Sequence, residues 1–225
     1  MTFDILTCLP ELFEGPLNQS IVKRAKEKGL VQINVYNLRD YSSNKHRSVD
    51  DYAYGGGAGM VLGIEPIDRC INYLKGKKSY DQVVYMTPDG HPLNQKVCNN
   101  YSQFKNIIIL CGHYKGVDER VRQYLITHEI SIGSYVISGG ELAAMVFADA
   151  IIRLIPGVLN NETSALTDSF QDNMIAPPIF TRPENYNGWK VPKVLLSGHQ
   201  KEIEEWREGQ SLKRTQERYP DLNKS

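Results

Sequence analysis

Ile107-Ile108-Ile109-Leu110-Cys111, followed by Gly112-His113-Tyr114-Lys115-Gly116, is an unbroken apolar run that ends in a polar, glycine-bearing turn. An apolar run without polar alternation fits a strand buried on both faces, as in a parallel sheet covered by helices on each side. Similar units lie on either side of it. Upstream, a helix-like Glu65 to Leu74 leads into a strand-like Gln82 to Met86, a turn at Thr87-Pro88-Asp89-Gly90 and an amphipathic helix from Leu93 to Phe104. Downstream, Asp118 to Ile126 reads as a helix. Ser131-Ile132-Gly133-Ser134-Tyr135-Val136-Ile137-Ser138-Gly139-Gly140-Glu141-Leu142 then compresses a short apolar strand, two adjacent glycines and a helix start, the helix closing on Arg153-Leu154-Ile155-Pro156-Gly157. The expected class is α/β, a mostly parallel sheet with helices on both faces. In open sheets of this kind ligands bind outside the carboxyl ends of the strands. The turns at Thr87-Pro88, Gly112-His113 and Ser138-Gly139 are therefore expected to converge on one site, where glycines admit close backbone approach.

The flanks are less regular. Phe3 to Cys8 reads as a strand, Gln19 to Lys28 as a helix ending at Gly29, and Val31 to Tyr36 as a second strand. The helix carries Lys23, Arg24, Lys26 and Lys28, either a solvated face or a phosphate-contacting one. Tyr54-Gly55-Gly56-Gly57-Ala58-Gly59-Met60 is neither a phosphate loop of the Gly-Lys-Ser/Thr type nor a dinucleotide fingerprint. It fits a flexible linker or a ligand loop, and Lys45-His46-Arg47 before it with Asp50-Asp51 favour the ligand loop. Beyond Gly157 a polar run from Asn160 to Phe170 and the prolines Pro177, Pro178 and Pro183 read as irregular chain. Gln200 to Glu208 and Ser211 to Arg218 read as two short helices, with Trp206 and Leu212 facing a small core. The expected organisation is a main domain at 1–157, a flexible linker at 158–175 and a small helical domain at 176–225.

Composition bounds the function. Lysine plus arginine and aspartate plus glutamate both number 26, so RNA binding has to rest on a local patch rather than on net charge. Cys8, Cys70, Cys98 and Cys111 have neither zinc-site nor disulfide-framework spacing and are expected to be buried, reduced thiols. The amino terminus does not read as a signal peptide, and no stretch approaches the ~20 apolar residues of a membrane span. A cytoplasmic protein with no membrane partner is expected. Common hydrolytic motifs are missing, and the five histidines are scattered.

The blocks Val49-Asp50-Asp51, Tyr54 to Met60, Cys111 to Val121, Ser131 to Leu142, Arg153 to Leu159, Asp168-Ser169-Phe170 and Val191 to His199 resemble, in this order, the bacterial tRNA (guanine-N1)-methyltransferases. The resemblance spans nearly the whole chain. It implies a trefoil-knotted methyltransferase domain of the SPOUT type, a small helical tRNA-binding domain, and a homodimer with its active site at the subunit interface. It also implies S-adenosyl-L-methionine as methyl donor, bound by Tyr85, Met86, Thr87, Pro88, Gly112, Tyr114, Ile132, Gly133, Ser134, Tyr135, Val136, Ile137, Gly139 and Gly140. The tRNA would be met by His46, Arg47, Asp50, Ala58, Gly59, Ser197 and His199, and its phosphates by Lys23, Arg24, Lys193, Lys213 and Arg214. Magnesium dependence is associated with the family, although the sequence offers no dedicated ligand cluster.

The implied reaction is methylation at N1 of the guanosine immediately 3′ to the anticodon. Guanine N1 carries a proton at neutral pH, so the transfer needs a base for that proton and a cation for charge developing on O6. By the resemblance Asp168 is the base and Arg153 the cation. Taken alone they read as a linker carboxylate and a helix-end arginine. Four positions depart from the family pattern: Lys115 stands where an acid is usual, Ser134 where Asp is usual, and Ala58 and Ala143 where Pro is usual. The rival readings are an inert RNA-binding relative, an enzyme of the same fold class acting on a different RNA or at a ribose hydroxyl, and a Rossmann-type nucleotide enzyme, whose spaced glycine fingerprint is absent. Retention of Arg153 and Asp168 argues against the first, and the Asp168 and Ser197-Gly198-His199 blocks argue against the second.

Overall fold

The computed structural model describes residues 1–159 and 168–222, and the chain divides into two compact units, residues 1–160 and 161–225. The first unit contains β1 (Thr2–Thr7), α1 (Ser20–Glu27), β2 (Gln32–Asn37), β3 (Asp50–Tyr52), β4 (Met60–Leu62) and α2 (Ile64–Lys75). It continues through β5 (Gln82–Pro92), α3 (Gln95–Tyr101), β6 (Asn106–Cys111), α4 (Glu119–Tyr124), β7 (His128–Ser131) and α5 (Glu141–Ile152). Five strands form one sheet in the order β2-β1-β6-β5-β7, and every pairing in it is parallel.

The apolar runs explain this arrangement. On β6, Ile107, Ile109 and Cys111 enter one core with Phe3, Ile5, Val84 and Met86, closed by Ala25 of α1, Cys98 of α3 and Ala144 and Phe147 of α5. Ile108 and Leu110 enter the other, with Leu6, Val83 and Tyr85, closed by Ile67, Ile71 and Leu74 of α2 and Val121 of α4. Both faces of the strand are therefore covered, and each large side chain buried this way stabilises the fold by about 1.5–3 kcal/mol. Local signals agree with the element ends. The Asn94 side chain accepts from Val97 N–H at 2.9 Å to cap α3, and Asp118 accepts from Arg120 N–H at 2.9 Å to cap α4. All four cysteines are buried and unbridged.

Three local expectations are corrected. The turn expected at Thr87-Pro88-Asp89-Gly90 is instead part of β5, which runs on to Pro92 with a register shift against β7 between Met86 and His91. At Gly90 the two backbones come so close that a Cβ would lie 2.7 Å from the Glu129 carbonyl carbon. The apolar residues Tyr135, Val136 and Ile137 are not a strand. β7 ends at Ser131, and Val136 is 85% exposed in the loop that follows. The glycine-bearing segment Tyr54 to Met60, expected as a linker or a ligand loop, is the connection between β3 and β4, which pair antiparallel.

The second unit pairs β8 (Asn185–Tyr186) with β9 (Trp189–Lys190) and then forms α6 (Gln200–Arg218). Two short helices were expected here, yet α6 is continuous through Gly209. One interior glycine costs only about 1 kcal/mol, which the helix formers around it offset. Its buried side is Ser211 and Thr215 rather than Leu212, which is half exposed. Thr215 Oγ1 accepts from Ile175 N–H at 2.8 Å and donates to the Ser211 carbonyl at 2.8 Å. Trp206 packs near Phe180, ring centres 6.3 Å apart. Residues 160–167 of the expected linker lie outside the described residues. Among the described residues no helix is long and apolar enough to cross a membrane.

Asp4 on β1 is the charged group most deeply committed to the sheet. It is fully buried, is paired with Lys78 Nζ at 2.9 Å, and accepts hydrogen bonds from Asn34 Nδ2 at 2.6 Å and from the Tyr80 hydroxyl. Lys78→Met, which leaves this carboxylate buried without its cation, is expected to cost about 3 kcal/mol in denaturant unfolding at neutral pH. Asp4→Asn, which removes the buried negative charge and keeps one of the two acceptor oxygens, is expected to cost less.

Candidate active site

The order β6-β5-β7 places three carboxyl ends side by side. From the edge strand β7 the chain passes across the end of β5 and meets the loop after β6. There His113 and Gly139 form an antiparallel bridge, and Gly140 N–H donates to the Gly112 carbonyl at 2.7 Å. Gly140 sits so near the other loop that a Cβ on it would lie 2.8 Å from Gly112 N and 2.9 Å from Cys111 Cα. These are backbone atoms that cannot swing aside. The crossing thus requires glycine, and it opens a cleft of about 480 Å³, within the range of small-molecule sites.

Its walls are three segments. The end of β5 gives Tyr85, Met86, Thr87, Pro88 and Asp89, the loop after β6 gives Gly112 to Val117, and the loop after β7 gives Ile132, Gly133 and Tyr135 to Gly140. Thirteen of the fourteen residues proposed from sequence to hold the cofactor line this one cleft; Ser134 does not. Tyr135 N–H donates to the Gly133 carbonyl at 2.9 Å, a tight turn that leaves Ser134 exposed at its tip.

Sequence reading missed the charged frame. Arg122 on α4 holds Glu129 of β7 through two hydrogen bonds, Nε to Oε1 at 2.7 Å and Nη2 to Oε2 at 2.6 Å, and Nη2 also donates to Asp89 Oδ2 at 2.8 Å. One planar guanidinium therefore ties α4 to β7 and to the shifted end of β5. The hydrogen bond from Thr87 and the Arg122 charge hold the Asp89 carboxyl below its usual range, while the two acids push the Arg122 guanidinium up. No periodicity reports such a clamp, because its members come from three elements.

The glycine-rich β3–β4 tip is tied to the same edge. Lys115 N–H donates to the Met60 carbonyl and Leu62 N–H to the Gly116 carbonyl, both at 3.0 Å. The Lys115 side chain lies over Gly59, whose φ of +95° also demands glycine. Of the residues proposed to meet RNA, Ala58 and Gly59 are on this tip and Asp50 opens β3. His46 and Arg47 are exposed just before it, Arg47 paired with Asp40 at 3.4 Å. Lys23 and Arg24 are exposed on α1. Arg153 is the residue that closes α5, its N–H donating to the Asp149 carbonyl at 3.2 Å.

The remaining candidates belong to the second unit. Asp168 is half-buried, and His199 is the exposed cap of α6, its N–H bonded to Ser197 Oγ at 3.1 Å. Lys213 pairs with Glu217, Arg214 donates to the Ala176 carbonyl at 3.3 Å, and Lys193 is exposed. Among the described residues one group of metal-ligating type is assembled, Cys8, His113 and Glu141. Its sulfur and nitrogen donors do not suit magnesium, which takes oxygen ligands.

Comparison with known families matches the model described as tRNA (guanine-1)-methyltransferase TrmD over residues 1–225. The chain belongs to the tRNA (guanine-1)-methyltransferase family. Relatives named tRNA (guanine-N(1)-)-methyltransferase are similar along essentially their full length. The protein of Flavobacterium johnsoniae is 62% identical over 99% of this chain and 98% of its own. That of Cytophaga hutchinsonii is 63% identical over 99% of this chain and 94% of its own, and that of Bacteroides fragilis 60% over 99% of each. This family member is thus a methyltransferase whose glycine crossing makes the cleft.

Gly140→Ala forces the loops after β6 and β7 apart and is expected to cost about 1–3 kcal/mol in denaturant unfolding. Gly209→Ala on α6, where a Cβ meets nothing within 4 Å, is expected to be neutral or stabilising.

Proposed function

We infer that the protein transfers a methyl group from S-adenosyl-L-methionine to N1 of the guanosine immediately 3′ to the anticodon of tRNA. The observation that carries this is one cleft, lined by thirteen of the fourteen residues that the sequence resemblance nominates, in a chain that matches the family from end to end. A donor of this kind supplies an electrophilic methyl on a sulfonium. The cleft suits it in size and in being lined by backbone of three segments, two of which are held together at the Gly112–Gly140 crossing. The loops after β6 and β7 bring backbone groups to the cleft that can meet a base edge, and Tyr85 and Tyr135 also line it.

Asp168 takes the N1 proton, and Arg153 stabilises the negative charge that develops on O6. The β3–β4 tip with His46, Arg47, Asp50, Ala58 and Gly59 meets the unstacked guanosine and its neighbour, and Ser197 and His199 add contacts from the second unit. The basic groups Lys23, Arg24, Lys193, Lys213 and Arg214 position the phosphates without reading sequence. No step is assigned to magnesium, because the described residues assemble no oxygen-rich ligand set for it.

The reading includes a trefoil knot, supported by the passage of the β7–α5 segment over the loop after β6. It includes a homodimer with the active site at the interface, supported by apolar side chains that one chain leaves uncovered. Leu142 and Val146 lie one turn apart on α5 and are 57% and 49% exposed, and Val136 is 85% exposed nearby in sequence. It places the protein in the cytoplasm, where tRNA is the substrate.

The test is transfer of labelled methyl from S-adenosyl-L-methionine to unmodified tRNA bearing guanosine 3′ to the anticodon. Wild type is expected to label N1 of that guanosine, Asp168→Ala to lose about 10²–10⁴-fold in turnover and Arg153→Ala about 10²–10³-fold. tRNA binding without transfer in the wild type would favour an inert binder. Near-full activity in Asp168→Ala would remove the assigned base.

A further inference from the structure

We propose that Cys8, His113 and Glu141 form a binding site for a borderline divalent cation, with zinc the best match, in the wall beside the cofactor cleft. The three side chains arrive from separate elements: Cys8 directly follows β1, His113 lies in the loop after β6, and Glu141 opens α5. Each presents one ligand atom, and these atoms all lie within 4.8 Å of one another. Zinc bonds of about 2.0–2.3 Å put tetrahedral donors closer together than that upper limit, so a small movement of the side chains supplies three ligands and leaves the fourth position to water.

Three independent observations point to a cation rather than to packing alone. Glu141 is only 1% exposed, and among the described residues no lysine or arginine pairs with it. Its hydrogen-bond partner is neutral, the Thr7 hydroxyl, which donates to Oε1 at 2.7 Å. A carboxylate buried with a single neutral donor is costly unless a positive charge joins it. Next, His113 Nδ1 is buried and accepts or donates no hydrogen bond. Last, Oε2 of Glu141 and Nδ1 of His113 converge on the space left by the missing side chain of Gly139. A Cβ there would lie 2.3 Å from the carboxylate oxygen and 2.6 Å from the ring nitrogen.

The donor set names the class of ion. Thiolate, imidazole and carboxylate suit zinc or cobalt, whereas magnesium and calcium take oxygen. Cysteine ligates metals as the thiolate, so binding releases the Cys8 proton to solvent as the sulfur–metal bond forms. Thr7, by holding Oε1, orients Oε2 toward the ion. The ion ties the end of β1, the β6 loop and the start of α5 together behind the Gly112–Gly140 crossing. Its role is structural, and it stands whether or not the proposed methyl transfer is correct.

The experiment titrates cobalt(II) into full-length protein freed of metal by a chelator. One equivalent per chain is expected to produce a thiolate-to-cobalt charge-transfer absorption, which one equivalent of zinc removes and excess magnesium does not. Cys8→Ser is expected to abolish the band and Thr7→Val to weaken cobalt affinity about tenfold, while Cys70→Ser leaves it intact. Zinc is expected to raise the melting temperature of the wild type, a readout independent of any variant's folding. Absence of the band, its persistence in Cys8→Ser, or a wild-type melting temperature unmoved by zinc would overturn the site.

Discussion

The contact on which the remainder of the site depends is the approach of Gly140 to the backbone of Cys111 and Gly112. A single added carbon would fall within 3 Å of backbone atoms, so the loop after β7 lies where it does only because that carbon is missing. This contact turns three neighbouring strand ends into an enclosure. Without the crossing, the loops after β5, β6 and β7 would be three separate turns on the rim of an ordinary parallel sheet. With it, α5 starts directly behind the cleft, and the buried Glu141 is carried to the end of β1.

Rigid surroundings hold the crossing in place. The sheet beneath is buried on both faces, and the Arg122 clamp fixes the irregular end of β5 against β7 and α4. The β3–β4 tip is hydrogen-bonded to the residues just after the crossing, so the glycine-rich segment is attached to the cleft wall instead of hanging free. In the proposed reaction this attachment matters, because the tip meets the nucleotide while the cleft holds the donor. Precise positioning of two reactants can account for a large share of a rate enhancement.

Much of the sheet was legible because its strands are unbroken apolar runs, as in Val83 to Met86 and Ile107 to Cys111. The extension of β5 was not, since Thr87-Pro88-Asp89-Gly90 read as a turn and only pairing with β7 keeps the segment extended. Tyr135-Val136-Ile137 shows the opposite error: the residues are apolar, yet they form a loop with Val136 exposed. Gly209 misled in a third way, because local propensity suggested a break that the rest of α6 overrides. At the site, glycines and turns could be found from sequence, whereas Arg122, Asp89 and the Cys8–His113–Glu141 group could not. Their members are far apart in the chain, and only the parallel order of β1, β6, β5 and β7 brings them together.

The most direct test of the crossing as the cofactor site is amide hydrogen exchange of the full-length protein with and without S-adenosyl-L-methionine. The ligand is expected to slow exchange in three segments together, residues 85–89, 112–117 and 132–140. Slowing confined to the second unit, for instance around the apolar groove between Pro177 and Arg207, would contradict it. So would slowing at only one of the three loops, because a ligand held by the crossing has to touch them all.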